Sequence, residues 1–174
     1  MMKIKPLDKE SLKAAIKLKL QCWEEELANR FDYPLSYEEE YAFYERWMRT
    51  EKADNDRRTL LGMFQDRKLI GTIFASFAEV EDHPNACEIN GVFVNPNYRG
   101  QSISLLLIKE ALDVYYQLGK EYVIVYNHKY APSNAFFRYL GGKVIREEFQ
   151  LNKQLHVEVF RFSITDLLNK SHKY

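Results

Sequence analysis

The run Asn90-Gly91-Val92-Phe93-Val94-Asn95-Pro96-Asn97-Tyr98-Arg99-Gly100-Gln101-Ser102-Ile103-Ser104 holds the groups in this chain best arranged for chemistry. A β-branched strand that breaks at Pro96, turns through Arg99-Gly100 and starts a helix near Ser102 aims unpaired backbone N–H groups at one point. Such a point binds an anion, a phosphate above all. The flanking elements must hold that geometry, and the sequence supplies them. After the turn, Ile103, Leu106, Leu107, Glu110-Ala111 and Val114 recur at helical spacing, and Gly119 stands where a helix C′ residue belongs.

Other catalytic patterns are missing. His83, His128, His156 and His172 show neither i,i+4 pairing nor carboxylates at ligand spacing, which disfavours a metal site. No G-x-S-x-G elbow appears, and the turn lacks the Gly-Lys-Ser/Thr ending of a P-loop, so hydrolase and NTPase readings lose their support. Cys22 and Cys87 form no CxxC and no disulfide framework, which fits a reduced compartment. Cys87 is left as a bare alternative, a nucleophile for a covalent acyl-enzyme.

At 174 residues, with 46% hydrophobic and 14% aromatic content, the chain suits one globular domain, residues 1–174. Lys plus Arg and Asp plus Glu are equal at 25 each, so no basic field recruits nucleic acid or an anionic membrane. The N-terminus lacks the apolar core of a signal peptide, and no apolar run approaches the ~20 residues of a bilayer span. A cytoplasmic protein is expected.

The pattern along the chain predicts a strand over Ile4–Leu7, then a helix capped by Asp8 with Leu12, Ala15, Ile16 and Leu20 on one face, weakening at Asn29. After a Pro-containing link over Phe31–Leu35, Ser36 and Glu39 open a second helix as a capping box, ending near Thr50. Residues 51–58 read as a loop. Strands follow over Thr59–Phe64, Leu69–Glu79 and, past a turn at Asp82–Asn85, Ala86–Val94. Beyond the long helix come a buried strand over Tyr122–Tyr126, a short helix over Pro132–Leu140 stopped by Gly141-Gly142, and a hairpin of Lys143–Phe149 with Leu155–Phe162. The order β-α-α-β-β-β-α-β-α-β-β makes an α/β (α+β) domain with a mixed, mostly antiparallel sheet of about seven strands and helices on both faces.

This order, together with the anion turn, resembles the GNAT superfamily of acyl-CoA-dependent N-acetyltransferases, from Ile4 to about Ile164. The family's turn reads Q/R-x-x-G-x-G/A and holds the pyrophosphate of acetyl-CoA; the matching positions here are Arg99, Ser102 and Ser104. Serine at the two small positions adds a Cβ near the phosphates, but its hydroxyl can donate to them or cap the helix. The resemblance implies that Val92, Phe93 and Val94 pair with the pantetheine arm, that Arg99, Gly100, Gln101, Ser102, Ile103 and Ser104 hold the phosphates, and that Ser133 and Phe137 also border the cofactor. It implies further that the strand after the long helix splays from Val92–Val94, an opening that a bulge near Gly91 would assist.

The segment Ser133-Asn134-Ala135-Phe136-Phe137-Arg138-Tyr139-Leu140-Gly141-Gly142 matches the family pattern of a tyrosine-bearing helix before Leu-Gly-Gly, yet Phe137 stands at the tyrosine position. Phenylalanine cannot protonate a leaving thiolate, and Tyr139 lies roughly 200° around the helix. Tyr130 and His128 are the nearest alternative acids. Glu88 matches the glutamate that several family members use as general base, a role that partial burial favours. Its plain alternative is a solvated ion pair.

Residues 21–51 hold nine acids against three arginines, together with Trp23, Phe31, Tyr33, Tyr37, Tyr41, Phe43, Tyr44 and Trp47. By resemblance this stretch borders the acceptor pocket, where acids and aromatic faces suit a cationic amine. Solvated helix faces over core aromatics explain the same residues. Two functions stay open: an N-acetyltransferase acting on a primary amine of a small molecule or peptide, and an acyl-CoA-binding sensor with little turnover. A terminal hairpin of this kind also supports a homodimer.

Overall fold

A computed structural model of the chain describes residues 1–27, 35–79, 81 and 84–170. In order, the elements are β1 (Met2–Pro6), α1 (Lys9–Leu27), α2 (Tyr37–Arg49), β2 (Thr59–Gln65), β3 (Lys68–Phe77), β4 (Ala86–Val94), a 3₁₀ turn (Pro96–Tyr98), α3 (Ile103–Gln117), β5 (Tyr122–His128), α4 (Ser133–Tyr139), β6 (Lys143–Gln150), β7 (Leu155–Ser163) and α5 (Ile164–Lys170). The predicted order is present, with α5 added at its end. The expectations for Asn29, for the link at 31–34 and for Asp82, His83 and His172 lie outside the described residues.

Local chemistry starts and stops the helices. The Ser11 N–H donates to Asp8 Oδ1 and the Asp8 N–H to Ser11 Oγ, both at 2.8 Å, so two orphan donors of α1 are satisfied reciprocally. For α2 the Glu39 N–H donates to Ser36 Oγ at 3.3 Å, while the Ser36 hydroxyl turns to Glu38. α3 ends in a full Schellman motif. The Gly119 N–H reaches Tyr116 O at 2.9 Å, the Lys120 N–H reaches Tyr115 O at 3.0 Å, and Gly119 has φ +78°.

The sheet runs β1-β2-β3-β4-β5-β7-β6, antiparallel throughout except at β4–β5. α3 packs on one face with α5, over Ile73, Ile103, Leu107, Ile108, Val123 and Phe160. The predicted stripe of α3 is partly wrong. Leu106 is exposed, and Ile108, Leu112 and Tyr115 are the buried members beside Ile103, Leu107 and Ala111. α1 and α2 cover the other face, where Tyr44 stacks on Phe74 at 4.5 Å beside Leu12 and Ile16. Each such side chain contributes about 1.5–3 kcal/mol by leaving water.

Two departures from regular pairing make the site. Gly91 faces Phe74 while Ile89 faces Ala75, so Asn90 is an extra residue and β4 bulges there, as expected near Gly91. β4 and β5 pair only over Ala86–Tyr122, Cys87–Val123 and Glu88–Ile124. Beyond Glu88 the two parallel strands diverge, and β4 offers an edge of backbone amides and carbonyls toward the opening.

Candidate active site

A cleft of about 310 Å³ fills that opening. Its walls come from the free part of β4 (Ile89–Val94), the end of β5 (Val125–His128), the turn and first residues of α3, α1 at Cys22, Trp23 and Glu26, and α4 at Ser133, Phe136 and Phe137. The cleft therefore has a backbone edge on one side, a helix N-terminus at one end and the last turns of α1 across it.

The loop leading into α3 is built from local bonds. Asn95 Oδ1 accepts from the Asn97 N–H at 3.1 Å, and Pro96 fixes the 3₁₀ turn. Gly100 has φ +77° and Ser102 has φ +59°, ψ +16°. A left-handed serine carries the Cβ cost that glycine avoids, and this explains why small residues suit that position. The hydroxyl of Ser102 makes no capping bond, contrary to one of the two roles expected for it. Ser102, Ile103 and Ser104 all line the cleft, so the N-terminus of α3 borders it.

Two consecutive carboxylates of α1 reach opposite lips of the cleft. Glu25 takes Arg99 in a bidentate pair, with Nη1 to Oε1 at 3.0 Å and Nη2 to Oε2 at 2.7 Å. Arg99 Nε also points to Val94 O at 3.4 Å, and Nη2 lies 3.8 Å from Cys22 Sγ. Glu26 Oε2 lies 3.4 Å from His128 Nε2 on the β5 side. Hydrogen bonding to Arg99 holds the Glu25 carboxyl below the usual carboxylate range. A depressed carboxylate pairs fully at neutral pH, and the pair dissolves only as pH falls through that lowered value.

Of the residues read from sequence, Val92, Phe93, Val94, Arg99, Gly100, Ser102, Ile103, Ser104, Ser133, Phe137 and His128 all line the cleft. Gln101 is exposed and lies outside it. Tyr130 is 63% exposed and also outside, a poor position for an acid. Glu88 sits one residue pair below the opening and does not line it; it shares a sheet face with Ala86, Ile124 and Tyr126. Cys87 is fully buried on the α3 side, where burial pushes its thiol up to about 12, so the acyl-enzyme alternative loses its nucleophile.

Sequence reasoning missed several cleft residues. Asn127 donates from Nδ2 to Ser133 Oγ and to Asn134 Oδ1, both at 2.8 Å, and so ties β5 to α4. Asn134 passes the tie on, donating to the carbonyls of His128 and Lys129 at 2.9 Å each. Tyr126 accepts from Arg146 Nη2 at 2.7 Å. Cys22 carries a thiol raised by burial against the opposing pull of Arg99. Asn134 falls in the segment before Leu-Gly-Gly, but no motif marks Asn127, Tyr126 or Cys22.

Most acids and aromatics of residues 21–51 have structural partners. Glu40 bonds Lys19 at 2.5 Å, Glu45 bonds Arg49 at 3.0 Å, and Tyr44 with Trp47 forms core against β3. Trp23 and Glu26 are the members that face the cleft. Arg30, Phe31, Asp32 and Tyr33 lie outside the described residues.

Phe137 is 4% exposed and packs against Phe136, Phe160 and Phe162 at 5.7–6.0 Å between rings. An apolar ring in an apolar nest has no route to proton chemistry. The adjoining Gly142 is required by space: a Cβ there would lie 2.5 Å from the Phe162 ring and 2.9 Å from Phe137 O. Gly142→Ala is expected to cost about 2–3 kcal/mol by overpacking, read as a lower urea midpoint at unchanged slope.

The open strand edge, the phosphate-type turn and the single mixed sheet define an acyltransferase fold. The model of the acetyltransferase (GNAT) family matches residues 20–141, and the chain belongs to that family. None of the curated protein sequences matches it. Among solved structures, the PaiA N-acetyltransferase of Thermoplasma acidophilum in complex with coenzyme A is similar at 20% identity and TM-score 0.72, covering 94% of this chain and 99% of that one. The ribosomal-protein-alanine N-acetyltransferase of Brucella melitensis is similar at 19% identity and TM-score 0.68, covering 92% and 99%. The phosphinothricin acetyltransferase of Sinorhizobium meliloti in complex with AcCoA follows at 17% identity and TM-score 0.70, covering 93% and 88%. At these identities the likeness carries the fold. Among the described residues, no helix is long and apolar enough to cross a membrane.

Proposed function

We propose that the protein moves the acetyl group of acetyl-CoA to a primary amine of a small molecule or peptide, by direct attack with both substrates bound. The divergence of β4 and β5 beyond Glu88 carries this reading, because a strand edge no longer paired to β5 is the surface an amide-bearing pantetheine arm can pair with. The N-terminus of α3, with the turn before it, suits the phosphates. Acetyl-CoA supplies an activated thioester; the remaining work belongs to the chain. Backbone pairing along Val92–Val94 aligns the carbonyl, and a β4 N–H steadies charge on its oxygen. Glu88 takes the proton of the amine through a water, on the face that α1 and α2 cover. His128, lining the cleft beside Glu26, returns a proton to the departing sulfur.

The acceptor enters over Trp23 and Glu26, whose ring and carboxylate favour a cationic amine. Phe137 favours a second reading, a sensor that binds acyl-CoA with little turnover. Thiol release from acetyl-CoA against a panel of polyamines, lysine-like amines and anionic amines separates them. Turnover with the cationic members supports the enzyme. Tight binding of acetyl-CoA with no thiol release from any amine would leave the sensor, and reaction with anionic amines alone would overturn the cationic acceptor.

A further inference from the structure

Arg99 is the only Lys or Arg between Asn95 and Ser104, and its guanidinium already has a partner. Glu25 holds both Nη atoms, and Val94 O holds Nε, so the planar fork is turned onto α1. Both side chains are about half exposed, 46% and 47%, so the pair lies within reach of solvent and of a charged ligand. Bidentate carboxylate and bidentate phosphate use the same fork, and one guanidinium serves them in turn.

The geometry points to Glu25 as an affinity-setting residue, a carboxylate that competes with the cofactor's pyrophosphate for Arg99. This rests on the acetyl-CoA reading above and adds to it. The consequence is that the loop offers the phosphates backbone N–H groups first and a cation only after Arg99 changes partner. The cost of that exchange is built into α1, a helix outside the turn that a cofactor motif describes.

Calorimetric titration of coenzyme A tests this without any turnover. Glu25→Gln keeps the shape of the side chain and removes its charge. It is expected to tighten coenzyme A roughly three- to tenfold, and to leave pantetheine, which lacks the phosphates, unchanged. Glu25→Ala should tighten coenzyme A in the same direction. Arg99→Ala should cost more in the Glu25→Gln background than in the native one, because there the guanidinium is fully committed to phosphate. If Glu25→Gln and Glu25→Ala weaken coenzyme A, Glu25 is a scaffold for the loop and the inference falls. Equal tightening of pantetheine also overturns it, since the phosphates would then be irrelevant. Native protein that binds coenzyme A, with variants that bind it no more tightly, sinks this inference alone; failure of every form to bind it sinks the acetyl-CoA reading too.

Discussion

Glu88→Gln is expected to lower kcat by roughly two to three orders of magnitude while leaving the affinity for coenzyme A intact. Glu88 is the last residue of β4 paired to β5, opposite Ile124, so it stands at the root of the opening. Its side chain shares a face with Ala86 and Ile124, the face that α1 and α2 cover. Tyr44 of α2 packs on that same face. Burial pushes that phenol up, Lys19 pulls it down, and Glu88 adds an upward push. An amine attacks a thioester only after losing its proton, and a glutamine of the same shape cannot accept one. A carboxylate can take that proton and the amide cannot, so the variant's kcat profile should differ in shape from the native one. Profiles of kcat against pH, with calorimetry of coenzyme A alongside, check both parts. An unchanged kcat would assign the proton to bulk water.

Phe160→Ala should destabilise the protein by about 3–5 kcal/mol. Phe160 is wholly buried on β7, in register with Val125 of the cleft wall. Its ring touches Phe137 at 5.8 Å and Phe162 at 6.4 Å between centroids, and the Arg138 guanidinium lies 5.3 Å above it. Truncation removes the transfer energy of the ring and leaves a void that backbone pairing on both sides keeps open. Domains of this kind hold on the order of 5–15 kcal/mol in total, so the loss is a large share. Urea unfolding at equilibrium reads it. Phe160→Leu, which fills most of the space, should recover more than half of the loss.

The turn and the element order were legible because each depends on a short stretch of chain. Asp8 with Ser11, Ser36 with Glu39, and Gly119 act over six residues or fewer, and all three set helix ends as their types predict. α5 escaped notice although Ser163-Ile164-Thr165-Asp166 carries a capping signature and the Asp166 N–H does donate to Ser163 Oγ. Two turns of helix give too few apolar repeats to stand out from the end of a strand.

The site was less legible than the fold. The resemblance draws attention to Arg99 through its turn, but its partner Glu25 stands 74 positions earlier and no local pattern joins them. His128 and Tyr130 are neighbours in sequence, yet the end of β5 turns one into the cleft and leaves the other in water. Asn127 and Asn134 earn notice only once β5 and α4 are side by side. Where a contact spans the sheet, the information sits in the packing.

Adjacent residues on a helix diverge by about 100°, which lets Glu25 and Glu26 of α1 face different ways. One moors the loop that follows β4, the other the end of β5. On the proposed exchange of Arg99 onto phosphate, only the first tie would be given up and the second kept. The two sides of the groove would then answer a cofactor differently, the loop released from α1 and the end of β5 still held.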